Sequence, residues 1–337
     1  MINCTGTGQD AYAEAGIAGH TDKKTIKSTD MEIIRTSQMK KIGTAVTEIL
    51  KSPATRKLLT FSAVLLCTWT AGSAMLQAQN TRMMMQNTVA MTQKTAIVAH
   101  RGYWNCEEAG YARNSIAALE CAQKAGFAYS EFDVNMTSDG ILLVVHDGVI
   151  GGKRIEDCPY SEFKDITLEN GEKIPLLDDY LAQAKLYPGT KLVLELKEHS
   201  TPETEDKAVT ATIKKLREYK LDSPDKVIFI SFSINICKRF AEFMPGFTVQ
   251  YLGEGYTPAQ LHGMGITGID ADYNLLKEHP ETVRQAKQLR MSVNCWTVNT
   301  SEEMQEMIKL GVGFITTDYP MEARKILGDK ELRAGQK

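Results

Sequence analysis

No Cys-x-x-Cys pair occurs in the 337-residue chain. Its seven cysteines stand apart at Cys4, Cys67, Cys106, Cys121, Cys158, Cys237 and Cys295, which excludes a zinc ribbon or a thioredoxin-like motif. A Cys106–Cys158 disulfide would require an exported chain, and buried free thiols are the preferred reading. Long basic runs are missing too. With a net charge of -3 and a pI near 6.1, no nucleic-acid partner is indicated. No glycine-rich dinucleotide fingerprint and no His-x-His follow the first strand of the domain, which sets aside a nucleotide-binding open sheet and an amidohydrolase-type metal barrel. Finally, no Ser or Cys lies in an evident nucleophile motif. What is present is ordinary globular composition, 43% hydrophobic and 24% charged, over a length that suits one large domain with extras, or two domains.

The first 94 residues differ from the rest. Arg56 and Lys57 precede an apolar stretch from Leu58 to Ala71, which ends in the small residues Gly72, Ser73 and Ala74. That order reads as a secretory signal peptide cleaved near Ala74. The stretch is shorter than the ~20 residues of a spanning helix, and an uncleaved membrane anchor is the alternative. Residues 1–38 are polar and poorly periodic, as in a mis-set start or a disordered leader, and Met39 opens a more usual basic lead. Residues 1–74 are thus leader and signal peptide, 75–94 a polar, Met-rich linker, and 95–337 the working domain. The expected location is periplasmic or extracellular, with no stable membrane insertion of the mature domain.

From Thr95 onward, apolar strands alternate with amphipathic helical segments. Strands are predicted at 96–100, 129–134, 191–197, 227–232, 248–252, 268–272, 292–298 and 313–318. Between most of them lie apolar residues at helical spacing, as in NSIAALECAQKA, DKAVTATIKKLREY and LKEHPETVRQAKQLR. Eight alternating units predict an α/β (β/α)8 TIM barrel. One element breaks the rhythm. Between YSEFDVNM and LLVVHD only Ser138, Asp139 and Gly140 form the obvious turn, too short a link for a parallel crossover. The second strand is therefore followed by a small β-hairpin insertion, which returns His146 to the barrel mouth.

Active groups in such barrels collect at the C-terminal strand ends. There the sequence places His100 and Arg101, then Glu131 and Asp133 two apart and so on one face, then Glu195 and Lys197, Trp296 and Asp318. Three facing carboxylates, Glu131, Asp133 and Glu195, suit a hard divalent cation with oxygen ligands, Mg2+ or Ca2+. Arg101 and Lys197 add fixed positive charge, suited to a phosphate or phosphodiester. His100 and His146 supply two groups that exchange protons near neutral pH.

These residues resemble the glycerophosphodiester phosphodiesterase family. The likeness runs from about Ile97 to Pro320 and rests on AHRG (99–102), EFDV (131–134) with TSDG following, VVHD (144–147), ELK (195–197), SF (231–232), WTVN (296–299) and TTDYP (316–320). The resemblance implies hydrolysis of small-molecule glycerophosphodiesters to glycerol 3-phosphate and an alcohol. It also implies His100 and His146 as the acid/base pair, and Glu131, Asp133 and Glu195 as metal ligands. Arg101 and Lys197 would contact phosphate, and Trp296 would line the substrate pocket. One departure stands out: the family's Glu-Asn-Thr-like run is here Arg113-Asn114-Ser115. A non-catalytic phosphate-ester-binding barrel and a phospholipase-type lyase are the competing readings. The lyase would want an apolar, membrane-facing rim that the sequence does not display.

Overall fold

Runs such as KLVLEL and VIFIS are buried along their whole length, as strands covered on both faces must be. The computed structural model describes residues 95–328 together with residues 39, 40, 43 and 44. Beyond those four positions, the expectations for residues 1–94 lie outside the described residues. Eight strands form the parallel sheet: β1 (Ala96–Ala99), β2 (Tyr129–Met136), β6 (Lys191–Leu196), β7 (Val227–Ser231), β8 (Thr248–Tyr251), β9 (Gly268–Asp272), β10 (Ser292–Trp296) and β11 (Phe314–Thr317). Pairing runs in the order β1-β11-β10-β9-β8-β7-β6-β2, and β1 also pairs with β2. The sheet therefore closes on itself, and the predicted (β/α)8 barrel is what the chain forms.

The hairpin is there as well. β3 (Leu142–Val144) pairs antiparallel with β2, Val134 opposite Val144. The reversal is tight because Gly140 sits at a φ of +82° and the Thr137 hydroxyl binds Asp139 Oδ1 at 2.6 Å. A second, smaller hairpin follows, β4 (Val149–Ile150) and β5 (Lys153–Arg154), turned by Gly151 and Gly152 at φ of +58° and +79°. The insertion has its own apolar centre in Leu143, Ile155, Phe163 and Ile174.

Helices cover the outside: α1 (Ile116–Lys124), α2 (Leu177–Leu186), α3 (Pro202–Glu218), α4 (Ile234–Phe243), α5 (Pro258–Gly263), α6 (Tyr273–Glu278), α7 (Glu281–Gln288), α8 (Ser301–Leu310) and α9 (Pro320–Leu327). Side-chain oxygens of Ser115, Thr201, Ser233, Thr257 and Thr300 accept N-terminal amides of α1, α3, α4, α5 and α8, satisfying donors that a helix end leaves bare. The single helix predicted over 276–290 is instead two, α6 and α7, parted at His279-Pro280. Proline disfavours helical geometry in the residue before it and lacks the N–H that would continue the ladder. The short α5 and the C-terminal α9 were not predicted, and each begins with a proline at its start. Among the described residues no helix is long and apolar enough to cross a membrane.

Alternation along the strands sorts the two faces. Outward residues such as Ile97, Phe132, Leu194 and Phe229 pack with the helices in the main core. Inward residues Val98, Val193, Ile228, Ile230, Leu252 and Phe314 form a smaller cluster inside the barrel. The next inward positions along the strands are His100, Glu131, Asp133, Glu195, Lys197, Phe232 and Trp296. The polar site thus rests on an apolar plug.

Candidate active site

Glu131, Asp133 and Glu195 are 2%, 1% and 7% exposed, and each offers an oxygen within 4.8 Å of the others. Register explains the meeting, because Asp133 lies level with Glu195 on the adjacent strand. Buried carboxylates crowd one another's charge. Burial first, then Asp133 and Glu195, push Glu131 well above the usual carboxylate range. Burial raises Glu195 to about 7 against the opposing pull of Lys197. Burial also works against Asp133, but Lys197, Arg101 and the Asn114 amide outweigh it and hold that carboxyl at about 2.

The cationic partners are well defined. Lys197 Nζ stands 2.7 Å from Asp133 Oδ1 and 2.5 Å from Glu195 Oε1. Arg101 Nε lies 3.5 Å from Asp133 Oδ2, while its backbone N–H donates to Glu131 Oε2 at 2.8 Å. Arg101 reaches both acids because its backbone is left-handed, φ +53°, a conformation that costs a non-glycine residue roughly 1–2 kcal/mol. Gly102 follows at φ +80°, pressed so closely on α1 that an added Cβ would lie 2.7 Å from Ala118. Asn114, also left-handed at φ +58°, donates to Asp133 Oδ2 at 2.8 Å and accepts from the Asp133 N–H at 3.2 Å.

The two histidines sit on different supports. His100 Nδ1 is 2.8 Å from Asp318 Oδ1, a bond that joins the first and last strands' ends. Asp318 also accepts from the Trp104 indole N–H at 2.9 Å and the Asn299 amide at 2.9 Å. Burial opposes ionisation of Asp318, yet those donors hold it at about 2. His146 Nδ1 is 2.7 Å from Asp147 Oδ1. Burial and then Lys197 lower the pKa of His146 below its ordinary 6.5, so its neutral form is favoured. In both rings Nδ1 is engaged, which leaves Nε2 as the nitrogen for exchange.

Every residue expected at the site therefore gathers at one mouth. A cavity of about 310 Å3 is lined by His100, Arg101, Glu131, His146, Glu195, Lys197 and Trp296. Phe232 meets Trp296 edge-to-face at 5.6 Å on its apolar wall. Sequence reasoning missed Asp270, 1% exposed on the same lining, whose Oδ2 accepts from Asn294 at 3.0 Å and whose Oδ1 has no partner. Its inward parity with Gly268 and Asp272 was the signal available. Arg113 departs from the carboxylate cluster and lays its guanidinium over the Trp104 ring, 3.8 Å from the centroid. None of the five described cysteines forms a disulfide, Cys106 and Cys158 included.

The carboxylate set fits a divalent cation on its own chemistry. It is all-oxygen, Glu131 Oε1 is buried without a hydrogen-bond partner, and two of the three acids keep their protons more firmly than free carboxylates do.

Comparison with known proteins places the chain among relatives. The family model described as "Glycerophosphoryl diester phosphodiesterase family" matches residues 100–322. A glycerophosphodiester phosphodiesterase from Caldanaerobacter subterraneus is 28% identical over 249 residues, 67% of this chain and 95% of that protein. A crystal structure of a glycerophosphodiester phosphodiesterase from Parabacteroides distasonis shares 43% identity at a TM-score of 0.68, covering 71% of this chain and 99% of that one. An Oleispira antarctica phosphodiesterase, solved in complex with the product sn-glycerol-3-phosphate, shares the fold at 22% identity and a TM-score of 0.61, over 71% of this chain and 98% of that one.

Proposed function

The chain belongs to the glycerophosphoryl diester phosphodiesterase family, and from that premise we propose that its barrel mouth cleaves glycerophosphodiesters by metal-assisted acid/base catalysis with His100 and His146. It is a phosphoric diester hydrolase, as its relatives are. The observation that carries the finer reading is the meeting of three buried carboxylates with two carboxylate-supported histidines around one cavity. Glu131, Asp133 and Glu195 would hold Mg2+ or Ca2+. When bound, the cation would offset the charge that builds on the phosphoryl oxygens.

The chain's own groups do the rest. Arg101 and Lys197 face the phosphate with fixed positive charge and orient it. The glycerol arm packs toward Phe232 and Trp296. Among the described residues no Ser or Cys lines this cavity, and the substrate's glycerol 2-hydroxyl attacks phosphorus, gaining from proximity. One histidine takes that proton while the other protonates the leaving alcohol. The roles reverse when water opens the cyclic phosphate to glycerol 3-phosphate. Asp318 holds His100 in its tautomer and Asp147 does so for His146.

The reaction belongs to the turnover of lipid-derived glycerol phosphate esters, and export followed by cleavage between Met75 and Lys94 would put it outside the cytoplasm. Glycerol 3-phosphate release from a panel of glycerophosphodiesters with Mg2+ or Ca2+ tests the activity. A substrate analogue lacking the 2-hydroxyl tests the route: it should compete for the site without turning over, and its normal hydrolysis would exclude internal attack. N-terminal sequencing of the native protein tests the address.

A further inference from the structure

A second cavity, of about 260 Å3, opens beside the first and shares two lining residues with it, Arg101 and His146. It lies between the loop that follows β1 and the hairpin insertion, and its other charged lining residues are Arg113, Asp147 and Glu169. A phosphodiester has two ester arms that diverge from one phosphorus. If that phosphorus sits at the residues common to both cavities, each arm has a cavity of its own. The glycerol arm is common to all substrates and fits the inner cavity, walled by barrel-strand residues. The other arm, which varies, fits the outer cavity, walled by loops.

The outer lining states what kind of alcohol it takes. Arg113 and Glu169 are both exposed, and among the described residues neither makes an ion pair. The guanidinium offers up to five donors and the carboxylate only acceptors. Two unspent groups of opposite sign on one cavity suit hydroxyls, which both donate and accept. Stacking on Trp104 holds the Arg113 guanidinium in place, so less freedom is lost when it binds. The same stacking covers the indole face that would otherwise attract a quaternary ammonium, and no aromatic side chain lines this cavity. Aliphatic Val145, Ile150, Ile166 and Leu168 supply a wall for C–H faces.

We propose that this second cavity is the subsite for the leaving alcohol, and that Arg113 and Glu169 select a neutral polyol such as glycerol or inositol over choline. The inference rests on the phosphodiesterase reading given above. Its test is kcat/KM of the full chain, with added Mg2+ or Ca2+, on glycerophosphoglycerol, glycerophosphoinositol and glycerophosphocholine. The polyol esters should be preferred. Arg113→Ala and Glu169→Ala should each lower the polyol-to-choline ratio about tenfold, the scale of one lost hydrogen bond to a charged group. Preference for the choline ester, or a ratio that neither variant moves while hydrolysis continues, overturns the subsite. Failure of the unmodified chain to release glycerol 3-phosphate from any of the three overturns the underlying reaction as well.

Discussion

At the scale of single residues, the site is a set of charges placed where they would not choose to be. In the proposed route His100 and His146 move the protons, so His100→Ala and His146→Ala should each lower kcat by roughly 10²–10⁴-fold, the usual contribution of a positioned acid or base, measured by glycerol 3-phosphate release. Glu195 gives a test with a sign. Its folded-state pKa of about 7 lies above the ordinary 4.5. Between those values the unfolded chain has released this proton while the folded chain keeps it. Metal-free stability therefore falls as pH rises through that window. The same proton must leave before a cation binds three ionised carboxylates. Apparent Mg2+ or Ca2+ affinity, followed by calorimetric titration, should rise as pH is raised from 5 toward 8, and Glu195→Gln should flatten that rise.

Secondary-structure elements decide whether those residues meet. The turn at His100-Arg101-Gly102 is set by Gly102, where a side chain would strike Ala118 of α1. Gly102→Ala should destabilise the fold by about 1–3 kcal/mol for the overpacking, on top of roughly 1–2 kcal/mol for the left-handed backbone. Chemical denaturation reads that loss. Activity should fall with it, because Arg101 is displaced along with the turn.

Much at this scale was legible in the chain. The eight strands are spelled by aliphatic runs, and the short link at Ser138-Asp139-Gly140 announced the hairpin. The break at Pro280 was also written in the sequence, but helical periodicity on both sides masked it. Pro258 and Pro320 open helices α5 and α9 instead of ending anything. Asp270 was hidden because an acid in GIDAD, with Asp272 two places on, looks like an edge residue until neighbouring strands close over it. The second cavity could not be read at all, since residues 101, 113, 145–150 and 166–174 are brought together only by the packing of three separate loops.

For the molecule as a whole, the buried acids are a liability that a cation would relieve. A ligand that binds only the folded state raises its stability, by about 2.7 kcal/mol at a hundred times its dissociation constant. Millimolar Mg2+ or Ca2+ should therefore raise the melting temperature, and a chelator should lower it and abolish turnover. Glu131→Gln and Asp133→Asn should lose most of the activity and most of the metal-induced shift in scanning calorimetry.

The bond between His100 and Asp318 spans 218 positions of sequence, and in the same seam the Thr95 hydroxyl donates to the Val312 carbonyl at 2.8 Å across 217. By contrast Glu131, Asp133, His146, Glu195 and Lys197 lie within one stretch of the first half-barrel. A growing or refolding chain can bring that stretch together early, because the loops it must close are short. Docking of the first strand against the last waits for the most distant partners and is the slow kind of contact. Enzymatic competence is then a clock for closure of the seam. In a refolding time course, helical signal should return first and turnover last.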